Sequence, residues 1–138
     1  MSALARAAIW LHRTLYRLSG GRVGGRRGTV PILLLTTIGR KTGRRRTVPL
    51  QYLADGDLLV VVASNGGRDS HPAWLLNLRA EPRVEVRRGR ERQTMRAEEA
   101  TGAERELLWP RMVELWPGYD DYRRRTSREL SLVILRPA

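Results

Sequence analysis

Residues 30–64, VPILLLTTIGRKTGRRRTVPLQYLADGDLLVVVAS, decide the fold. VPILLLTT (30–37) is an unbroken apolar run of strand length, which predicts a strand buried on both faces. TVPLQYLAD (47–55) predicts a second strand, and its Pro49 places that strand at an edge or a bulge, because proline donates nothing to a ladder. Asp55-Gly56-Asp57 predicts a tight hairpin turn. LLVVVAS (58–64) predicts a third strand. Between the first two lie Arg40, Lys41, Arg44, Arg45 and Arg46, and Lys41 is the only lysine in the chain. A connection this cationic, held between two apolar strands, asks for an anion.

Upstream, residues 3–18 predict an amphipathic helix with Leu4, Ala8, Leu11, Leu15 and Leu18 on one face and Arg6, Arg13 and Arg17 on another. The apolar face fits either packing on its own domain or lying on an anionic membrane surface. SGGRVGGRRG (19–28) reads as a flexible connector. Its glycine spacing is not that of a dinucleotide fingerprint, and a helix rather than a strand precedes it. The expected division is therefore 1–28, helix and Gly-rich connector, and 29–138, the main domain.

Downstream, NGGRDSHP breaks the third strand. Ser70 is the expected cap of a short helix with Pro72 in its first turn, running to about Arg79. RVEVRRG and ERQTMRAEEA predict a hairpin around Gly89-Arg90. Residues 101–115 predict a second amphipathic helix, WPGYDDYRRRTSREL a polar aromatic segment, and SLVILRP a closing strand. Mostly antiparallel strands joined by hairpins, with helices outside them, predict an α+β fold built on a small barrel.

A chain of 138 residues with net charge +12 fits one domain that seeks phosphates, carboxylates or anionic lipid. The chain has no cysteine, which excludes disulfides and thiolate metal sites, and no metal is expected. No apolar run is long enough to span a bilayer, and the N-terminus lacks a signal-peptide pattern. The expected location is the cytoplasm, with weak peripheral association at the inner face of the membrane through residues 1–18.

No nucleophile-elbow or zinc-protease motif is present. GRKTG (39–43) lacks the upstream glycine of a phosphate loop. The carboxylate pairs Glu98-Glu99 and Asp120-Asp121 read as solvated surface. The cationic loop carries the lead: Thr36, Thr37, Thr42 and Thr47 interleave hydroxyls with the basic residues, and Gly39 and Gly43 would let the backbone approach an anion. A small polyanionic cofactor fits this best. A solvated charge run and a nucleic-acid loop are the alternatives, the latter resting on charge alone.

Three blocks together resemble the deazaflavin-dependent nitroreductase family: TTIGRKTGRRRTVPL (36–50), ASNGG (63–67) with PAWLLNL (72–78), and PGYDDY (117–122) followed by RTSRE. The resemblance spans about Tyr16 to Pro137. It implies a split β-barrel that binds coenzyme F420, a deazaflavin bearing a phosphodiester and a γ-linked glutamate tail. It further implies that Thr36, Arg40, Lys41, Thr42, Gly43 and Arg46 hold the anionic part. Pro49 would lie beside the ring, the backbone amides of Val61, Val62, Ala63 and Ser64 would face it, and Ala73, Trp74 and Asn77 would close over it. Ser64, Tyr119 and Tyr122 are the implied catalytic candidates, the tyrosines as pocket walls or proton donors. Trp116 and Gln51 stand where some members carry tyrosines, so the acceptor pocket is altered, which counts against nitroimidazole or quinone activity, while cofactor use is less affected. The implied activity is an F420H2-dependent reduction of a conjugated acceptor such as a quinone, an enone or a nitroaromatic, with a small-molecule substrate and no nucleic acid. An FMN-binding split-barrel oxidoreductase and a non-catalytic F420 carrier are the related alternatives.

Overall fold

A computed structural model describes residues 3–19, 21, 26–27 and 29–138. Most of the Gly-rich connector expected at 19–28 lies outside the described residues. The elements are α1 (Ala3–Ser19), β1 (Arg26–Arg27), β2 (Val30–Ile38), β3 (Arg45–Gln51), β4 (Leu53–Asp55), β5 (Leu58–Val62), a 3-10 turn (Asn65–Gly67), α2 (Ala73–Ala80), β6 (Arg83–Arg88), β7 (Glu91–Glu99), α3 (Gly102–Leu115), α4 (Gly118–Arg125) and β8 (Leu132–Pro137). The fold is α+β, as expected.

The strands pair antiparallel in the order β1-β2-β6-β7-β8-β5-β4, with β3 on the other edge of β2. β3 and β4 are the two ends of this path, separated along the chain only by Tyr52. The sheet therefore curls back on itself without closing. Pro49 lies on the edge strand β3, opposite Leu34, where its missing N–H costs no second ladder.

Period-two alternation sorts the strand residues into separate cores. Leu33 and Leu35 of β2, Leu59 and Val61 of β5, and Val133 and Leu135 of β8 point into the barrel with Val86 and Met95. Their neighbours Val60, Val62, Leu132 and Ile134 point outward and are covered by Leu108, Trp109, Met112 and Tyr119 of α3 and α4. On the opposite flank, Ile32 and Leu34 are covered by Tyr16 of α1.

α1 packs through that tyrosine. Its hydroxyl accepts the Gly89 amide at 2.6 Å and donates to the Arg87 carbonyl at 3.3 Å. Burial pushes the phenol above its ordinary range, partly offset by the Gly89 bond. The leucine face points elsewhere: Leu4 is 82% exposed and Leu18 79%, and Leu11 and Leu15 are exposed as well. The packing part of the helix expectation thus meets a finding. The helix packs on its own barrel, but with the stripe of Ala5, Ile9 and Tyr16 rather than with the leucines. No helix among the described residues is long and apolar enough to cross a membrane.

Two local expectations change. Ser70 does not cap α2; Pro72 occupies the N-cap with φ −66°, and Ser70 instead accepts the Asn65 side-chain amide on its carbonyl at 2.9 Å. The polar aromatic segment contains a helix, α4. Its acidic first turn and arginine last turn complement the helix dipole. The i,i+3 pairs Asp120–Arg123 and Asp121–Arg124 support it. Gly118 makes room for Trp116, since a Cβ there would sit 2.3 Å from the indole ring and force it to shift.

Candidate active site

The cationic loop is a tight reversal between β2 and β3. Gly39 N–H donates to the Arg44 carbonyl and Gly43 N–H to the Gly39 carbonyl, both at 2.7 Å. Gly43 has φ +71°, and a Cβ there would meet nothing within 4 Å. Its glycine therefore serves the turn. It does not line the adjoining cavity, which departs from its expected role beside an anion.

Asn77 ties this loop to α2. It is 3% exposed. Its Oδ1 accepts both the Arg40 backbone N–H, at 3.2 Å, and the Arg40 guanidinium, at 3.1 Å. Its Nδ2 donates to Thr37 Oγ1 at 3.2 Å. The Trp-x-x-Asn spacing of the second block puts Trp74 and Asn77 on one face of a short helix, one covering the groove and the other gripping its rim.

Around this clamp runs a groove of connected cavities. The first, about 780 Å³, is lined by Arg40, Lys41, Thr42 and Arg46 from the loop, by Ala73, Trp74 and Asn77 from α2, and by Arg6, Ile9, Trp10 and Arg13 from α1. The second, about 690 Å³, is lined by Pro49, Val62, Ser64, His71, Ala73 and Trp74 among others. Ile9, Val48, Ala73 and Trp74 border both. Each has the volume of a cofactor site. The first offers cations that no carboxylate neutralises: among the described residues, Arg6, Arg13, Arg40, Lys41 and Arg46 have no acidic partner. The second offers an apolar wall with a few polar groups at its rim.

The expected site residues distribute unevenly over this groove. Arg40, Lys41, Thr42, Arg46, Pro49, Val62, Ser64, Ala73, Trp74 and Asn77 line it. Val61 and Ala63 do not: both are fully buried in the barrel core, one residue out of phase with Val62 and Ser64. The Ala63 amide already donates to the Ser131 carbonyl at 2.8 Å. Thr36 lies under the loop, sharing a 2.7 Å hydroxyl contact with Thr47.

Tyr119 and Tyr122 are not among the residues lining the apolar cavity. Tyr119 is 4% exposed, its hydroxyl accepting from Gln51 Nε2 at 3.1 Å and its ring edge-on to Trp116. Tyr122 leans on Trp116 and carries the Arg125 guanidinium over its ring. The positions that depart from the family pattern, Gln51 and Trp116, are thus the ones that hold these tyrosines.

Sequence reasoning missed three contributors. The first is α1, whose arginine side roofs the cationic cavity. The second is Arg128, whose guanidinium donates to the carbonyls of Ala63 (3.2 Å), Ser64 (2.8 Å) and Arg68 (2.8 Å). It pins the end of β5 and the turn that follows. That turn takes Asn65, Gly66 and Gly67 through positive φ, and a Cβ on Gly67 would press to 3.0 Å on the Tyr122 backbone. This accounts for the ASNGG block and for the arginine of RTSRE. The third is His71, in the wall of the apolar cavity. Burial, then Arg79 and Arg128, pushes its imidazole below the ordinary range.

A sequence model described as F420H(2)-dependent quinone reductase matches residues 9–137. A Mycobacterium tuberculosis (H37Rv) protein named F420H(2)-dependent quinone reductase is 38% identical over 134 residues, covering 91% of this chain and 87% of its own. Among solved structures, one described as an F420-H2 dependent reductase is 38% identical with a TM-score of 0.71, over 77% of this chain and 94% of its own. Another, described as a domain-swapped dimer, is 35% identical with a TM-score of 0.73, over 92% of this chain and 97% of its own.

Proposed function

The chain belongs to the F420H(2)-dependent quinone reductase family, and on that premise we propose how its groove divides the work. It is an oxidoreductase that uses coenzyme F420, and its acceptor class is the quinones. Trp116 and Gln51 therefore do not remove it from quinone chemistry. Bound F420H2 supplies a hydride, and the deazaflavin favours two-electron over one-electron transfer.

The observation that carries the division is the change of character along one continuous groove. At the cationic end, Arg40, Lys41 and Arg46 present unneutralised charge, and Asn77 holds Arg40 in place. These residues bind the phosphodiester, with the forks of the arginines and the point charge of the lysine. At the apolar end, Pro49, Val62 and Trp74 form the walls that orient a flat ring system and keep water from its face. Ser64 lies at the end of β5 in that wall, and its hydroxyl makes no capping bond to the turn it opens. Its position among the residues lining the cavity supports a catalytic part for it. We assign Ser64 Oγ to the proton relay that a reduced quinone oxygen needs, and Tyr119 to holding Gln51 behind the wall.

α1 gives the acceptor a route in. Its outward leucines suit a weak, reversible seat on a lipid surface, where quinones partition.

The test is a titration of F420 and FMN monitored by deazaflavin or flavin fluorescence. Wild type binds F420 more tightly than FMN. Lys41→Ala and Arg46→Ala each weaken F420 by about tenfold, the scale of one charge-assisted hydrogen bond. Unchanged affinity in the double variant would make the loop a solvated surface.

A further inference from the structure

The polar side chains bordering the apolar cavity are Ser64, Asn65, Arg68, Ser70 and His71, and all come from the segment between β5 and α2. The other walls are apolar. Asn65 is committed: its amide donates to the Ser70 carbonyl at 2.9 Å and contacts the Ser70 hydroxyl at 3.3 Å. Arg68 and Ser70 are exposed to water. Ser64 and His71 are the two that are partly buried and not tied to a neighbouring side chain of this segment.

His71 is set by Arg128. Three backbone carbonyls, of Ala63, Ser64 and Arg68, fix the plane of that guanidinium. Its Nη1 also faces His71 Nδ1, at 3.5 Å. A guanidinium has donors and no acceptor, so a proton on Nδ1 would set donor against donor. Nδ1 is therefore bare, and the proton of the neutral ring sits on Nε2. The surroundings act in the same direction. Burial, then Arg79 of α2 and Arg128, hold the imidazole below its ordinary range against the pull of Glu99 on β7. Nε2 has no hydrogen-bond partner among the described residues, and it is not buried. The cavity thus carries one N–H of fixed tautomer with nothing from the protein to receive it.

The geometry points to His71 as an acceptor-binding residue, whose Nε2–H donates to a carbonyl oxygen of the quinone, with Arg128 as the positioning residue that keeps the proton on that nitrogen. The inference rests on the placement of ring and acceptor in the apolar cavity proposed above and deepens it. A quinone is a flat apolar ring with two carbonyl oxygens and no donor of its own. The apolar walls suit its faces, but an oxygen enclosed among them without a donor costs free energy. His71 supplies that donor and keeps its proton, so the transfer to the reduced oxygen stays with Ser64. The same guanidinium grips the Ser64 carbonyl and faces the His71 ring. One group therefore sets both side chains toward a single acceptor.

The experiment uses the full chain with F420 and a water-soluble naphthoquinone. His71→Phe keeps a flat ring and removes both nitrogens. Its KM for the quinone should rise about tenfold, the scale of one hydrogen bond. Its kcat and its F420 affinity, read by fluorescence, should stay near wild type, since the lost interaction is binding alone. His71→Gln, whose amide nitrogen reaches the place of Nε2, should restore the wild-type KM. His71→Asn, which reaches only the place of Nδ1, should not. Long-range 15N–1H spectra of the labelled, F420-bound chain should show His71 with a protonated Nε2 and a bare Nδ1; the chain's other histidine is His12. A proton on Nδ1 would overturn the assignment on the wild-type chain alone, whatever the variants do. An unchanged KM in His71→Phe would overturn it, and so would a glutamine that fails to restore KM. Loss of F420 affinity in His71→Phe would overturn it as well, by making His71 part of the cofactor's seat. Failure of the wild type to bind F420 or to reduce the quinone would overturn the groove reading itself, and the His71 assignment with it.

Discussion

Asn77 is the side chain whose removal separates packing from charge in the groove. Asn77→Ala deletes three hydrogen bonds: two from Arg40 and one to Thr37. Thr37 is fully buried and would be left without that partner. At about 1 kcal/mol net per bond, plus the penalty for an orphaned buried group, the loss is about 2–4 kcal/mol. In a domain of this size that lowers the melting temperature by about 10 °C. Asn77→Asp keeps the shape and can still accept from Arg40, now as an ion pair, while the Thr37 hydroxyl turns to donate. Its stability should fall less, since the Arg40 charge offsets much of the cost of burying a carboxylate. Yet it places a negative charge inside the cationic cavity. The two variants should therefore cross: Asn77→Ala melts lower, Asn77→Asp binds F420 more weakly. Thermal melts followed by circular dichroism and F420 titrations on the same preparations measure both. If affinity falls in step with stability across the two, the clamp acts only through folding. If Asn77→Ala melts as wild type does, the hydrogen bonds carry no energy and the reasoning fails.

Two further outcomes test the division of labour. Ser64→Ala should lower quinone reduction at unchanged F420 affinity by about 100-fold, at the low end of general-acid effects, whereas Tyr119→Phe should leave the rate near wild type and cost about 1 kcal/mol of stability through the lost Gln51 bond; single-turnover reduction of a water-soluble quinone gives both, and the opposite ranking would return the proton to the tyrosine. Replacing Leu4, Leu11, Leu15 and Leu18 together by serine should abolish co-sedimentation with lipid vesicles without changing F420 affinity, because those side chains face away from the groove that the same helix lines. Co-sedimentation that survives the quadruple substitution would place the lipid contact elsewhere.

How much of this was legible in the sequence follows from which forces leave a pattern. β2 and β5 were legible because burial on two faces demands an unbroken apolar run, and β3 because Pro49 marks an edge. The loop was legible because five cations in seven residues have no reading as core. α4 was not, because GYDDYRRR has no apolar stripe; its order comes from side-chain ion pairs and from Trp116 stacked over Gly118. Arg128 was not, because it acts on backbone carbonyls, which every sequence has. Val61 and Ala63 were named from the resemblance, which carries over a strand end as a block and does not separate the phase that lines the groove from the phase that faces the core.

The arginines show the limit most sharply. A net charge of +12 reads as one property of the chain, but the structure sorts it by place. Arg79, Arg105, Arg111, Arg123, Arg124 and Arg136 each meet a carboxylate on the outer surface. Along the two connected cavities of the groove, no acid is among the lining residues. Composition cannot distinguish an arginine that is already neutralised from one that is waiting for a ligand, because the difference depends on where the fourteen acidic residues end up. The excess that matters for binding is local. It arises because α1, whose basic side could have faced water, is turned by Tyr16 so that its arginines close over the groove.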